Sequence, residues 1–223
     1  MNYTISEENY LKAIFHLQNE EGMVTTSVLA EKLQTRPASV TDMMKKLNAK
    51  KLLHYKPYYG FSLSPEGKKI ALLVIRRHRL WEYFLSEKLK FAWNEVHSFA
   101  EDLEHVSSKQ LIDRLDQYLG FPPFDPHGDP IPDSKARIKN MSKISLMELP
   151  LHQPSSVCQV TNQSEEMLEL LQHRNIGIGT KLEVKKHFEF DHSLEIKTKT
   201  GNITISEQLA KNIFVTYESP AKL

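Results

Sequence analysis

Seven of the chain's eleven prolines fall between Pro122 and Pro154. Each fixes φ and removes a backbone donor, so neither helix nor sheet propagates through Gly-Phe-Pro-Pro-Phe-Asp-Pro-His-Gly-Asp-Pro-Ile-Pro-Asp (120–133) or Leu-Pro-Leu-His-Gln-Pro (149–154). Residues 121–154 are therefore expected to be a linker region between parts of different character. Before it, apolar residues return every three or four positions, the helical period. After it, Lys181–Val184, His187–Ile196 and Asn202–Ile205 are strand-like runs broken by Gly and Asp, with a helix expected over Glu165–His173. The fold class implied is mostly α with small β parts, an α-rich N-terminal region followed by a β-rich C-terminal domain.

At 223 residues, 40% hydrophobic and 26% charged, the chain has the composition of a folded protein of two or three domains. Its longest purely apolar run, Ile70 to Ile75, is far short of the roughly 20 residues a membrane helix needs. The start, Met-Asn-Tyr-Thr-Ile-Ser-Glu-Glu, lacks a basic-then-apolar leader, so a cytoplasmic protein without membrane contact is expected. One cysteine, Cys158, excludes a disulfide framework and every multi-cysteine metal motif, leaving His and carboxylates as metal ligands.

The overall charge of +1 conceals a segregation. Residues 36–79 hold eleven Lys/Arg against Asp42 and Glu66, a net of +9, whereas residues 80–133 hold eleven Asp/Glu against four Lys/Arg, a net of −7. The first stretch suits a polyanion and the second a cation. Within the basic stretch the spacing predicts a helix-turn-helix. Thr26 opens a short helix, Ser27 to Leu33, and Pro37 stands at the first position of a second, where its missing N–H costs nothing. That second helix buries Val40, Met43, Met44 and Leu47 and leaves Ser39, Thr41, Asp42, Lys45 and Lys46 outside. Two short strands follow, Leu52–Lys56 and Phe61–Leu63, around Pro57-Tyr58-Tyr59-Gly60, completing a winged helix. The set expected at double-stranded DNA is Arg36, Pro37, Ser39, Thr41, Asp42, Lys45 and Lys46, with Lys56 and Tyr58 from the wing.

In the acidic stretch, His78 and Glu82 are spaced i, i+4 at the end of a long helix that Ser64-Pro65 begins. A further helix, about Asn94 to Val106, carries His97, Glu101, Glu104 and His105 at i, i+4, i+7 and i+8. Two carboxylates and two imidazoles on one stripe need compensation on burial, which a divalent cation supplies. His16, His54, His127, His152, His173, His187 and His192 lack such neighbours and are expected to be structural or solvated. Two rivals stand beside a metal-responsive regulator. One is a winged-helix regulator whose His and carboxylates merely pair with one another. The other is a di-metal carboxylate enzyme, disfavoured because neither helix carries the Glu-x-x-His spacing that such sites use.

Glu8-Asn9-Tyr10-Leu11-Lys12-Ala13-Ile14, Arg77-His78-Arg79-Leu80-Trp81-Glu82, Val96-His97, Glu101-Asp102-Leu103-Glu104-His105-Val106 and Gly128-Asp129-Pro130-Ile131-Pro132 together resemble the diphtheria-toxin-repressor family of metal-dependent transcriptional regulators. The resemblance covers essentially the whole chain. It implies a winged helix-turn-helix over 1–64, a helical metal-binding and dimerisation domain over 65–140, and an SH3-like barrel over 155–223. By position it carries over one metal site at His78, Glu82 and His97, completed from the barrel by Gln163 and Glu166. A second site falls at Asn9, Glu101, Glu104 and His105. Iron-type members have Cys where this chain has Glu101, and manganese-type members have Glu, which favours Mn²⁺ first and Fe²⁺ second, with Zn²⁺ or Co²⁺ able to bind in vitro. The best-known manganese pattern has Asp at position 9 and Glu at position 12; this chain has Asn9 and Lys12. The resemblance implies a homodimeric, non-enzymatic repressor of metal-uptake genes, binding an inverted-repeat operator with divalent metal as co-repressor.

Overall fold

A computed structural model describes residues 3–106, 108–138 and 142–217, and the expected barrel end at Glu218–Leu223 lies outside them. The first helix, α1 (Ile5–Glu21), begins in a capping box. The Thr4 hydroxyl accepts the Glu7 backbone N–H and the Glu7 carboxylate accepts that of Thr4, satisfying donors that a helix start leaves open. Its stripe of Tyr10, Leu11, Ile14, Phe15 and Leu17 is buried as the spacing predicts. Then come α2 (Thr26–Lys32) and α3 (Pro37–Ala49), with Pro37 at the helix start. Val40, Met44 and Leu47 face inward against Leu29 and Ala30 of α2 in one apolar cluster.

The wing is the antiparallel pair β1 (Leu53–Lys56) and β2 (Gly60–Leu63). Gly60 sits at φ +113°, and a Cβ there would stand 2.4 Å from the Val24 carbonyl oxygen, so only glycine lets the wing close onto the Val24–Phe61 bridge. The long helix α4 (Pro65–Glu87) is capped by Ser64, whose hydroxyl accepts the Gly67 N–H at 3.1 Å. Its early turns, through Ile70, Ala71, Leu72 and Ile75, complete the winged-helix core. Two shorter helices follow, α5 (Val96–Val106) and α6 (Lys109–Tyr118).

The C-terminal part is a six-stranded antiparallel sheet in the order β3-β8-β4-β5-β6-β7. Its strands are β3 (Ile144–Ser145), β4 (Ser155–Val160), β5 (Lys181–His187), β6 (Leu194–Thr198), β7 (Gly201–Ile205) and β8 (Ile213–Thr216). Helices α7 (Glu165–His173) and α8 (Glu207–Lys211) accompany them. This is the SH3-like domain, with a core of its own around Leu168, Leu171, Val184, Ile196 and Val215. Two expectations are corrected. The stretch 121–154 is not linker throughout, because β3 and a 3₁₀ turn at Leu146–Glu148 belong to the sheet domain, with Leu146 and Leu149 buried in its core. Nor is His187–Ile196 one run: β5 ends at His187, the chain turns through Asp191, and β6 begins at Leu194.

The chain packs as two units. One comprises Met1–His78, Glu101–Gln117 and Pro132–Ile138; the other comprises Arg79–Ala100, Tyr118–Ile131 and Lys139–Leu223.

Candidate metal and nucleic-acid sites

In the first unit, the exposed face of α3 presents Ala38, Ser39, Thr41, Asp42, Lys45 and Lys46, as its spacing predicts. Arg36, also exposed, is its N-cap. Four of these side chains already have intramolecular partners. The Thr41 hydroxyl donates to the Pro37 carbonyl at 3.0 Å, and Lys45 lies 3.4 Å from Asp42. Lys46 Nζ lies 3.1 Å from Glu7 Oε1, on a carboxylate that also takes Lys50 at 2.6 Å. Burial alone would raise the Glu7 pKa, but hydrogen bonds from Lys50, the Thr4 backbone and Lys46 hold it at about 2. On the wing, Lys56 Nζ sits 4.1 Å from the centre of the Tyr59 ring, and Tyr58 projects fully into solvent. A cleft of about 440 Å³ between α3 and the wing has a largely apolar wall that includes Met44 and Phe61, with Thr26, Thr41, Lys45 and Asn48 supplying hydroxyl, ammonium and amide groups.

The α5 cluster is also in this unit. Its Glu104 has no exposed surface. Lys12 of α1 grips Glu104 with Nζ at 2.7 and 3.0 Å from its two oxygens. His78 Nδ1 lies 2.8 Å from Glu104 Oε2, and His105 Nε2 lies 3.1 Å from Oε1. Burial raises the Glu104 pKa, but the His78 hydrogen bond and the Lys12 charge outweigh it, so the group is held below its usual value. His105 turns its other nitrogen, Nδ1, to Glu8 Oε2 at 2.9 Å, where Arg77 also bonds at 2.7 Å. Glu101 is exposed with Lys12 3.7 Å away, and Asn9 is half-buried on α1. Of the expected second site, Glu104 and His105 are brought together, each saturated by protein partners.

The second unit holds a different arrangement. Glu82 is buried, and His97 Nδ1 lies 3.2 Å from its Oε1. His78, one turn earlier on α4, makes the Glu104 bond described above. On the far side of Glu82 stand two residues outside the expected ligand set, Asp125 and His127, and the three offer ligand atoms all within 4.8 Å of one another. His127, expected to be structural or solvated, is fully buried. Its Nε2 lies 2.9 Å from the Trp93 carbonyl oxygen, which only accepts, so Nε2 carries a proton and, in the neutral ring, Nδ1 presents a lone pair. That Nδ1 has no hydrogen-bond partner and lies 3.9 Å from both Glu82 Oε2 and Asp125 Oδ1.

The loop that carries this pair is tightly determined. Asp125 Oδ1 accepts the backbone N–H groups of His127 and Asp129 at 2.8 and 2.9 Å. The Val160 N–H of β4 donates to the His127 carbonyl at 3.0 Å. Gly128 has φ +85°, and a Cβ there would stand 2.0 Å from the Cys158 carbonyl oxygen, so glycine alone lets the loop lie against β4. Arg79 reaches Asp125 at 3.5 Å, Asp129 at 3.4 Å and the Pro130 carbonyl at 2.7 Å. Asp125 nevertheless has its pKa pushed well above the usual carboxylate range, chiefly by burial and then by Asp129 and Glu82. Of the two barrel residues expected as ligands, Gln163 donates to Asp129 Oδ2 at 2.7 Å and Glu166 lies exposed in the first turn of α7. The sequence signal for the missed pair was Asp-Pro-His-Gly-Asp-Pro itself, three ligand-type residues at alternate positions in a loop that cannot become regular structure.

Residues 3–61 match the family described as "Iron dependent repressor, N-terminal DNA binding domain". Residues 64–133 match "Iron dependent repressor, metal binding and dimerisation domain", and residues 144–217 match the FeoA domain. The chain is 33% identical over 141 residues to the HTH-type transcriptional regulator MntR of Oceanobacillus iheyensis, covering 63% of this chain and 89% of that one. It is 30% identical over 173 residues to the iron-dependent repressor IdeR of Mycobacterium leprae, covering 74% and 75%. A solved manganese-dependent transcriptional repressor in complex with manganese superposes with a TM-score of 0.86 at 30% identity, covering 95% of this chain and all of that one. The family matches to both iron-dependent-repressor domains, together with these relatives, show that the chain belongs to the DtxR/MntR family of metal-dependent transcriptional regulators.

Proposed function

We propose that this protein is a homodimeric repressor whose affinity for an inverted-repeat operator rises when a divalent cation is held by Glu82, Asp125 and His127, with His97 beside Glu82. The observation that carries the reading is the buried His127 Nδ1, a lone pair with no donor, facing two buried carboxylates at 3.9 Å each. That separation is too long for a hydrogen bond and suits donors that converge on one ion. A buried imidazole nitrogen left without a hydrogen-bond partner is costly, and a bound cation would satisfy it. Two carboxylates and one imidazole are a hard, oxygen-rich set, which ranks Mn²⁺ first and Fe²⁺ second. Zn²⁺ or Co²⁺ would bind in vitro.

The residues themselves explain how such a site bears on DNA. Glu82 lies on α4, whose earlier turns form part of the winged-helix core, so a helix fixed at Glu82 is the same helix on which α3 and the wing are built. Two recognition helices must meet major grooves about one turn of DNA apart, so ordering the helix raises the population able to bind. Exposed Phe99, Val106 and Leu111 on α5 and α6 supply apolar surface for the dimer contact. The relatives' names, among them an iron-dependent repressor, support metal-dependent control of transcription, for which metal-uptake genes are the proposed targets and the cytoplasm the proposed location; no helix among the described residues is long and apolar enough to cross a membrane. The test is metal analysis of gently purified protein together with operator binding with and without chelator. Metal-independent binding of the same tightness contradicts the proposal.

A further inference from the structure

We propose that the Lys12 ammonium is the resident cation of the α1–α5 carboxylate cluster, so that this cluster takes up no divalent metal and α1 is tied to α5 without it. The inference rests on the proposed function only in placing the metal response elsewhere, at Glu82, Asp125 and His127.

The two clusters differ in what their acceptors already hold. Glu104 has no exposed surface and receives Lys12 on both oxygens, with His78 and His105 on one oxygen each. Both nitrogens of His105 face carboxylates, Glu104 and Glu8, so no imidazole lone pair is turned toward a vacant position. Glu8 in turn takes Arg77 at 2.7 Å. Three carboxylates, Glu8, Glu101 and Glu104, are thus met by two permanent cations, Lys12 and Arg77. Such a set does not fit a divalent ion, because an ion reaching Glu104 must first expel an ammonium from a buried carboxylate, and a 2+ charge beside an ammonium in a site of low dielectric is repelled. His127 Nδ1 differs, its carboxylate neighbours standing 3.9 Å away, where His78 Nδ1 lies 2.8 Å from Glu104.

Lys12 does by a covalently attached charge what a bound ion does by coordination. The Lys12 side chain is only 16% exposed, and its pairing joins the first helix of the DNA-binding core to α5 across 92 positions of sequence. Asn9, three residues before Lys12 on α1, brings an uncharged amide, so α1 offers this cluster a cation and no carboxylate beyond Glu8. The position is therefore a determinant of how many metal ions the chain binds.

The test is equilibrium dialysis of the full-length protein against Mn²⁺ alone, with ions bound per chain as the readout, for wild type, Lys12→Gln, Lys12→Glu and Asp125→Asn. Hydrogen exchange of the α1 amides in chelator is the second readout. Wild type should bind one equivalent and Asp125→Asn none, while Lys12→Glu gains one. In chelator, Lys12→Gln should speed α1 exchange by about tenfold, since the buried carboxylate loses its ammonium. Two equivalents in wild type overturn the inference, as does unchanged stoichiometry in Lys12→Glu whose circular dichroism matches wild type. Unchanged α1 exchange in Lys12→Gln also overturns it. No uptake by wild type but one equivalent in Lys12→Glu supports the inference while removing the Glu82 site, so the two readings fail separately.

Discussion

His127 Nδ1 and Glu82 Oε2 stand 3.9 Å apart, both buried, while His127 Nε2 donates to the Trp93 carbonyl oxygen at 2.9 Å. In the proposed reading a divalent cation joins the two groups. Its first consequence is thermal. A ligand that binds only the folded state at a hundredfold excess over its Kd stabilises by about 2.7 kcal/mol. Calorimetry should show Mn²⁺ raising the Tm of wild type, and His127→Ala should lose most of that rise. A metal-induced shift as large in the variant as in wild type contradicts the role given to His127.

The Glu7 carboxylate, buried between Lys46 and Lys50, predicts an acid dependence. Its folded pKa of about 2 lies below the ordinary glutamate value of 4.5, so the stabilisation it gives is complete above about pH 4.5 and is lost as pH falls toward 2. Glu7→Gln should flatten the stability profile in that window, measured by urea unfolding from pH 5 down to 2.5. Equal slopes for variant and wild type count against the pairing.

The same contact alters what is expected of the recognition helix. Lys45 is exposed and paired only with exposed Asp42, whereas Lys46 is drawn toward buried Glu7. Lys45→Ala should therefore lower the salt slope of DNA binding by about one unit, and Lys46→Ala by less. Fluorescence anisotropy at several salt concentrations checks the order, and a larger effect from Lys46 reverses it.

Gly128 is the backbone condition for the loop that carries Asp125 and His127. An alanine there meets both a left-handed φ and the Cys158 carbonyl at 2.0 Å. Gly128→Ala should cost about 1–3 kcal/mol of stability or more and lower Mn²⁺ uptake. Wild-type stability and uptake in the variant would show that the loop has another way to lie.

Much of this was legible in the sequence. Pro37, the apolar spacing of α3 and the Pro57–Gly60 turn place the winged helix within a residue or so, because helix period and turn chemistry are local. Strands β4 and β8 were not legible. Ser155-Ser156-Val157-Cys158-Gln159-Val160 buries Ser155 and Gln159 beside its valines, so its polar residues hide the strand until its partners are known. The site divides the same way. Residues one turn apart on a helix announce themselves by spacing, as Glu104 and His105 do with His97 and Glu101. Asp125 and His127 reach Glu82 only through tertiary structure, and a Pro-rich loop has no period to expose them. Lys12 was visible as a departure from the manganese pattern, but its grip on Glu104 required the structure.

The most direct test titrates Mn²⁺ into wild type and Asp125→Asn while following binding to a DNA fragment selected by the wild-type protein, with circular dichroism establishing that both are folded. Asn keeps the shape of the side chain and one oxygen for the His127 and Asp129 N–H groups but removes the charge. The account predicts that Mn²⁺ tightens wild-type binding by about tenfold or more, within the usual range of coupling between sites, and leaves Asp125→Asn unchanged. An equal Mn²⁺ response in the two proteins at the same limiting concentration would contradict it.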